Sequence, residues 1–180
     1  MLCMPFRPLL ALSLFFLATP GRALTTYCVH DAAELYSALV AAQNSSDTPV
    51  IVNIRKGTYN AADAAGAFNL VQVHSNQLVA VSGGWSGDIG ECTQHSNDAS
   101  DTVLVGTATR RTLKLATSNA NPNVNNTLYV SDLTLRNPAG GDVSSCLDLK
   151  VTPGNSVTAN RLQIDQCVAQ DSSFSTVAGF

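Results

Sequence analysis

Leu133-Thr134-Leu135-Arg136-Asn137 and Leu162-Gln163-Ile164-Asp165-Gln166 carry one pattern twice, 29 residues apart. Side by side, leucine meets leucine, leucine meets isoleucine, arginine meets aspartate and an amide meets an amide. Cys146 and Cys167 lie only 21 apart, but the eight residues 138–145 after the first copy have no counterpart after the second. A coil of about twenty-one residues with a Pro-Gly-Gly loop at one corner reconciles both offsets, a period in the range of solenoids. Equivalent residues of paired strands lie ~4.8 Å apart, and a disulfide accepts Cα separations of roughly 4.4 to 6.8 Å. The register therefore predicts a Cys146–Cys167 bond, Leu133 on Leu162, Leu135 on Ile164, an outward Arg136–Asp165 ion pair, and Asn137 stacked on Gln166. Each pairing is chemically compatible, the mutual support expected of a true repeat.

Working outward, short β-branched and leucine-rich runs at 50–54, 78–81, 102–105, 112–115, 128–135, 147–151 and 157–164 read as strands. No Asn-Gly or Asp-Gly hairpin turn joins any of them, which favours turns of a solenoid over hairpins of a sandwich. One helix is expected, at 31–42. Asp31 and Glu34 form a capping-box-like pair, in which the first carboxylate accepts backbone N–H groups and the second reaches back to the cap. Ala32, Leu35, Ala38, Leu39 and Ala42 follow as an apolar stripe, and Asn44 to Pro49 supply turn and breaker residues.

Residues 1–23 have the build of a secretory signal: Arg7, an apolar run over 9–18, and a small-residue exit at Gly21-Arg22-Ala23. A run of about ten apolar residues is half of what a membrane span needs, so the segment reads as cleaved and the rest, 24–180, as a single secreted or periplasmic domain with no transmembrane segment. Beyond the signal, eight basic and thirteen acidic residues remain, a net charge of −5 that offers no footprint for nucleic acid. Only 13% of the chain is charged against 45% hydrophobic, about half the usual charged share, so Ser, Thr, Asn and Gln must carry the surface. Four cysteines remain in an oxidising compartment, where disulfides are the default; with Cys146 and Cys167 paired, Cys28 and Cys92 are left for each other. Metal binding is the weaker alternative, since no close CxxC spacing occurs.

The helix, the strand-to-turn segment Val50 to Tyr59, Leu78-Val79-Ala80-Val81-Ser82-Gly83-Gly84-Trp85, Thr102-Val103-Leu104-Val105-Gly106 and Leu128 to Asn137 together resemble the opening of bacterial right-handed parallel β-helix proteins of the pectin-lyase-like superfamily. The resemblance covers about Asp31 to Gln166. It implies an all-β fold, a right-handed parallel β-helix with coils over about 49–180, and it makes the helix a cap over the first coil. It also implies more coils and a terminal cap than the closing residues 171–180 would supply, and hence an exposed apolar end prone to end-to-end self-association. The superfamily includes polysaccharide lyases and hydrolases as well as adhesins, so the fold alone does not fix a function. The bacterial resemblance also argues against use of the sequons at Asn44 and Asn125, which matter only in a eukaryotic host.

Carbohydrate chemistry on such a scaffold needs carboxylates on neighbouring coils, typically ~5 to 9.5 Å apart for glycoside hydrolysis. Asp132, Asp148 and Asp165 lie in or beside strands, but the register sets Asp165 over Arg136 rather than over another acid. Asp88, Glu91, Asp98, Asp101 and His95 gather in one loop whose oxygen ligands suit Ca²⁺, though not in EF-hand order. The plainer reading is a polar loop tied down by Cys92, and no metal or cofactor is expected. His30, His74 and His95 are scattered, and no G-x-S-x-G element accompanies them. Gly83-Gly84-Trp85 reads as a tight turn with a packed indole, or as a sugar platform if the ring is exposed. The ligand-binding candidates are accordingly Trp85, Asp132, Asp148 and Asp165. The leading expectation is an exported, non-catalytic β-helix presenting a polar face to a polysaccharide or cell-surface glycan. The alternative is a lyase- or hydrolase-like protein, or an inactive remnant of one. At −5 the chain would repel a polyuronate unless calcium bridged the two, so a neutral glycan is the easier ligand.

Overall fold

The computed structural model describes residues 23–64, 67–88, 90–107, 109, 111–117, 125–137 and 146–167. The expected signal at 1–23, except its last residue, lies outside them, as do the loop at 138–145 and the terminal stretch 168–180. Strand β1 (Thr25–Val29) leads into helix α1 (Ala32–Asn44), followed by β2 (Val50–Arg55), β3 (Gly57–Asn60), β4 (Phe68–Gln72), β5 (Leu78–Ser86), β6 (Gln94–His95), a 3-10 turn (Ala99–Asp101), β7 (Thr102–Val105), β8 (Leu113–Thr117), β9 (Thr127–Arg136), β10 (Leu147–Lys150) and β11 (Ser156–Asp165). The fold is mostly parallel β-sheet, with one antiparallel contact among the described residues, between β5 and the two-residue β6.

Each pass of the chain lays its strands on those of another pass. β1, β2, β5, β9 and β11 stack in that order, so that Thr25, Val50, Val79, Leu128 and Val157 form one row and Tyr27, Val52, Val81, Val130 and Ala159 the next but one. These rows point inward; Val50, Val52, Val79, Val81, Leu128 and Val130 are all buried. β3 and β7 stack on the second half of β9, which carries Tyr59, Leu104 and Leu135 inward. β4, β8 and β10 form a separate three-stranded sheet with Phe68 and Leu70 opposite Leu113 and Leu115. The alternation of burial suits strands packed on one face only.

The expected register holds. Leu133 pairs with Leu162, Leu135 with Ile164 and Arg136 with Asp165, and both cysteine pairs, Cys28–Cys92 and Cys146–Cys167, have Cα atoms 5.7 Å apart. Two details differ. Asn137 turns its amide to Thr107 O at 3.3 Å, because it is drawn into the interior beside Gly106. The recurring step is 29 residues, seen both from β2 to β5 and from β9 to β11. From β3 to β7 it lengthens to 45, so sixteen residues have been inserted between β5 and β7. That insertion holds β6 and Cys92.

α1 begins as its sequence requires. Asp31 has extended backbone and accepts the Glu34 N–H at 2.8 Å. The Glu34 carboxylate returns to the N–H of His30, at 3.1 Å, one residue earlier than the reciprocal cap would use. Leu35, Ala38, Leu39 and Ala42 are buried over the open end of the core, in contact with β4 and β2. A column of amides secures the corner where each pass starts. Gln77 donates from Nε2 to Ala42 O at 2.7 Å, at the carbonyl-rich end of α1. Its own N–H donates to Asn126 Oδ1 at 2.9 Å, and the Asn126 N–H donates to Asn155 Oδ1 at 2.8 Å. Among the described residues no helix is long and apolar enough to cross a membrane.

Candidate functional site

The outward rows of the first sheet face are uncharged and, apart from Ile51 and Tyr129, built of short side chains. Thr26, Ile51, Ala80, Tyr129 and Thr158 form one, and Cys28, Asn53, Ser82, Ser131 and Asn160 form the next but one. Ser131 Oγ donates to Ser82 Oγ at 3.2 Å and Ser156 Oγ to Thr127 Oγ1 at 3.4 Å, so the polar side chains are laddered from strand to strand. Tyr129 rises from this face with Ala80 and Thr158 on either side and is 44% exposed. Small neighbours leave an aromatic ring accessible from the side as well as from above.

One flank of the face is the inserted loop. Cys28–Cys92 clamps it to β1, the Thr93 N–H donates to Ser86 O at 3.0 Å, and the Ser96 N–H donates to Gly84 O at 3.0 Å. Arg55 Nη2 donates to Gly87 O at 2.7 Å, and Lys56 meets Asp101 at 2.8 Å. Hydrogen bonds from Lys56 and Ser96 hold the Asp101 carboxyl below its usual range. Asp98 caps the 3-10 turn through the Ser100 N–H. The acids proposed as calcium ligands thus include two, Asp98 and Asp101, with separate structural partners. The histidine of the group, His95, turns inward and stacks on Trp85 with ring centroids 4.7 Å apart.

Beneath the loop lies a bend. β9 and β11 turn at Asp132 (φ 59°) and Arg161 (φ 50°), left-handed conformations that only a few side chains adopt readily. β5 makes the same turn at Gly84 (φ 75°), and its neighbour must also be glycine because a Cβ on Gly83 would lie 2.1 Å from Asp132 O. The Asp132 side chain is wholly buried and forked onto Arg161, from Arg161 Nη2 to Oδ2 at 2.9 Å and from Nε to Oδ1. Burial pushes the Asp132 carboxyl up, but Arg161, the Ser131 hydroxyl and the nearby His95 outweigh it and hold the group below its usual value. The pairing raises Arg161 in turn.

Ser82, His95 and Asp132 come together here, yet their geometry does not make a nucleophilic triad. Ser82 Oγ at 3.3 Å, Gly83 O at 2.9 Å and Asp132 Oδ2 at 3.3 Å all face the same ring nitrogen, Nε2. A nitrogen this close to a carbonyl oxygen must carry a proton, and so it has no lone pair to take one from Ser82. A triad needs the carboxylate on the other nitrogen.

Of the candidates from sequence, Trp85 is half-buried against His95, and each aspartate faces its own arginine: Asp132 with Arg161, Asp148 with Arg111 and Asp165 with Arg136 at 2.8 Å. General acid catalysis needs a carboxyl that keeps its proton at working pH, the opposite of the ionised state that Arg161 enforces on Asp132. Sequence reasoning passed over Arg161 and Tyr129. The 29-residue offset that sets Arg136 on Asp165 also sets Asp132 on Arg161, so the first was available; Tyr129 is recognisable as outward only once Leu128 and Val130 are known to be inward. A groove of about 480 Å³ runs between β1 and α1 past Tyr27, Asp31, Glu34 and Ser37. At its rim His30, Asp31 and Glu34 are already engaged with one another and with the helix cap.

No family model, no curated protein and no solved structure matches this chain.

Proposed function

We propose that the protein is an exported, non-catalytic parallel β-helix of the pectin-lyase-like kind, whose outward face binds a neutral carbohydrate. The observation that carries this reading is Tyr129, an aromatic ring on a flat, uncharged, hydroxyl- and amide-bearing ladder. Sugars present an apolar C–H face to aromatic rings and hydroxyls to polar neighbours, and Tyr129 with Ser82, Ser131 and Asn160 supplies both. The successive parallel passes, the helix over one end and the row-on-row apolar stacks support the β-helix. The two disulfides and the signal-like segment support export into an oxidising compartment. The arginine-paired aspartates support a role without turnover.

Binding to a panel of neutral and acidic polysaccharides, with and without Ca²⁺, tests the reading. Tyr129→Ala is expected to weaken binding to a neutral glycan about tenfold, the equivalent of about 1.4 kcal/mol, while Lys150→Ala on the other sheet leaves it unchanged. Chain cleavage lost on replacing Asp132, Asp148 or Asp165 would make the protein a lyase or hydrolase instead.

A further inference from the structure

We propose that the free edge of β11 is a homodimer interface, in which two copies pair their β11 strands antiparallel about Gln163. This inference is independent of the glycan reading. Among the described residues β11 pairs with β9 alone, so its other edge carries unpaired backbone groups. Its inward row continues that of the core, with Leu162 over Leu133 and Ile164 over Leu135. Leu133 and Leu135 are fully buried, whereas Ile164 is 59% exposed. Among the described residues the core is therefore covered by α1 at one end and left open at the other.

That asymmetry selects the partner. Head-to-tail stacking would set the open end of one copy against the α1 end of the next, where Leu35 and Leu39 are already buried. Tail-to-tail contact sets open end against open end, in the closed two-fold arrangement that most homodimers use. The sequence of β11 is self-complementary in that arrangement. With Gln163 on the axis, Leu162 falls opposite Ile164 of the second copy, and the bend at Arg161 comes beside its Asp165. Arg161 and Asp165 are each about two-fifths exposed after meeting Asp132 and Arg136. Each can extend its pair across the axis, giving an alternating row of Asp132, Arg161, then the second copy's Asp165 and Arg136. β11 contains no proline or lysine, the residues that usually protect an edge, and its single arginine is neutralised by Asp132.

The test is sedimentation velocity of the full chain over roughly a hundredfold range of concentration, the span in which mass action separates monomer from dimer. A closed dimer is expected, lost in Ile164→Lys, whose near-ultraviolet circular dichroism should remain native because the side chain is already exposed. Gln163→Cys gives a second readout. Residues facing each other on antiparallel strands have Cα atoms ~4.5 to 5.5 Å apart, within disulfide range, so this variant should form a covalent dimer that Lys150→Cys does not. A monomer at every concentration, as results if residues 168–180 of the same chain cover the edge, would overturn the proposal. So would an open ladder of oligomers without the Gln163→Cys cross-link, the mark of head-to-tail stacking.

Discussion

Tyr59 is buried, and its hydroxyl donates to Arg55 O at 2.9 Å and reaches Val29 O at 3.3 Å. Burial pushes its pKa from 10.0 up to about 12; Arg55 opposes this, and Asp31 and Glu34 reinforce it. A group whose folded value is raised contributes stability that is complete below the unfolded value and is lost as pH rises through the folded one. Thermal stability should thus fall between pH 10 and 12, by about 2 kcal/mol from this group. Tyr59→Phe is expected to flatten that limb of a melting-temperature profile while costing about 1 kcal/mol at neutral pH through the lost hydrogen bonds. Asp132 works at the other end of the scale, its depressed carboxyl contributing stability that fades as the pH falls through its folded value. At this scale the sequence was readable where a residue obeys the strand alternation, as Arg136 and Asp165 do. Asp132 and Arg161 sit at a left-handed bend that shifts the alternation by one residue, and nothing in their identity announces it.

The inserted loop is the element that most obscured the repeat. On that face the step is 25 residues from β1 to β2, 29 from β2 to β5, 49 from β5 to β9 and 29 from β9 to β11, so no single period aligns the first passes with the last. β1, β3 and β4 were also missed, being four or five residues long with Thr, Asn or Gln among their apolar positions. They are strands because neighbouring passes pair with them, a tertiary cause that local propensity does not record. The helix was legible almost to the residue because its cap and stripe are local. The loop's attachment leads to a definite expectation. Cys28–Cys92 closes 64 residues, for which chain-entropy arguments give about 4 kcal/mol. The Cys28→Ser, Cys92→Ser double variant should lose stability of that order in urea titrations and become susceptible to proteolysis beside residue 92, between the Arg55 contacts to Gly87 and Asp88 on one side and those of His95 and Asn97 on the other.

Across the whole molecule, protection should follow the stacking order. Among the described residues β2, β5 and β9 have strands on both sides, whereas β11 has one and exposes most of its side chains. Hydrogen exchange read by mass spectrometry on monomeric Ile164→Lys should be slowest in β5 and β9 and fastest in β11. Equal protection throughout would mean that the passes unfold as one unit. The parallel passes and the register were the part of the architecture most open to sequence reasoning, since rows of Val and Leu must lie on rows of Val and Leu. Yet such rows are ambiguous. Sliding a strand by two residues returns valine to the interior, Val81 where Val79 had been and Val130 where Leu128 had been, with almost no loss of burial. The amide column from the end of α1 through Gln77, Asn126 and Asn155 has no such symmetry, because a slip of two carries each oxygen about 7 Å from its N–H. The apolar rows say that the passes stack; these three side chains act as an index mark that leaves only one alignment unspoiled.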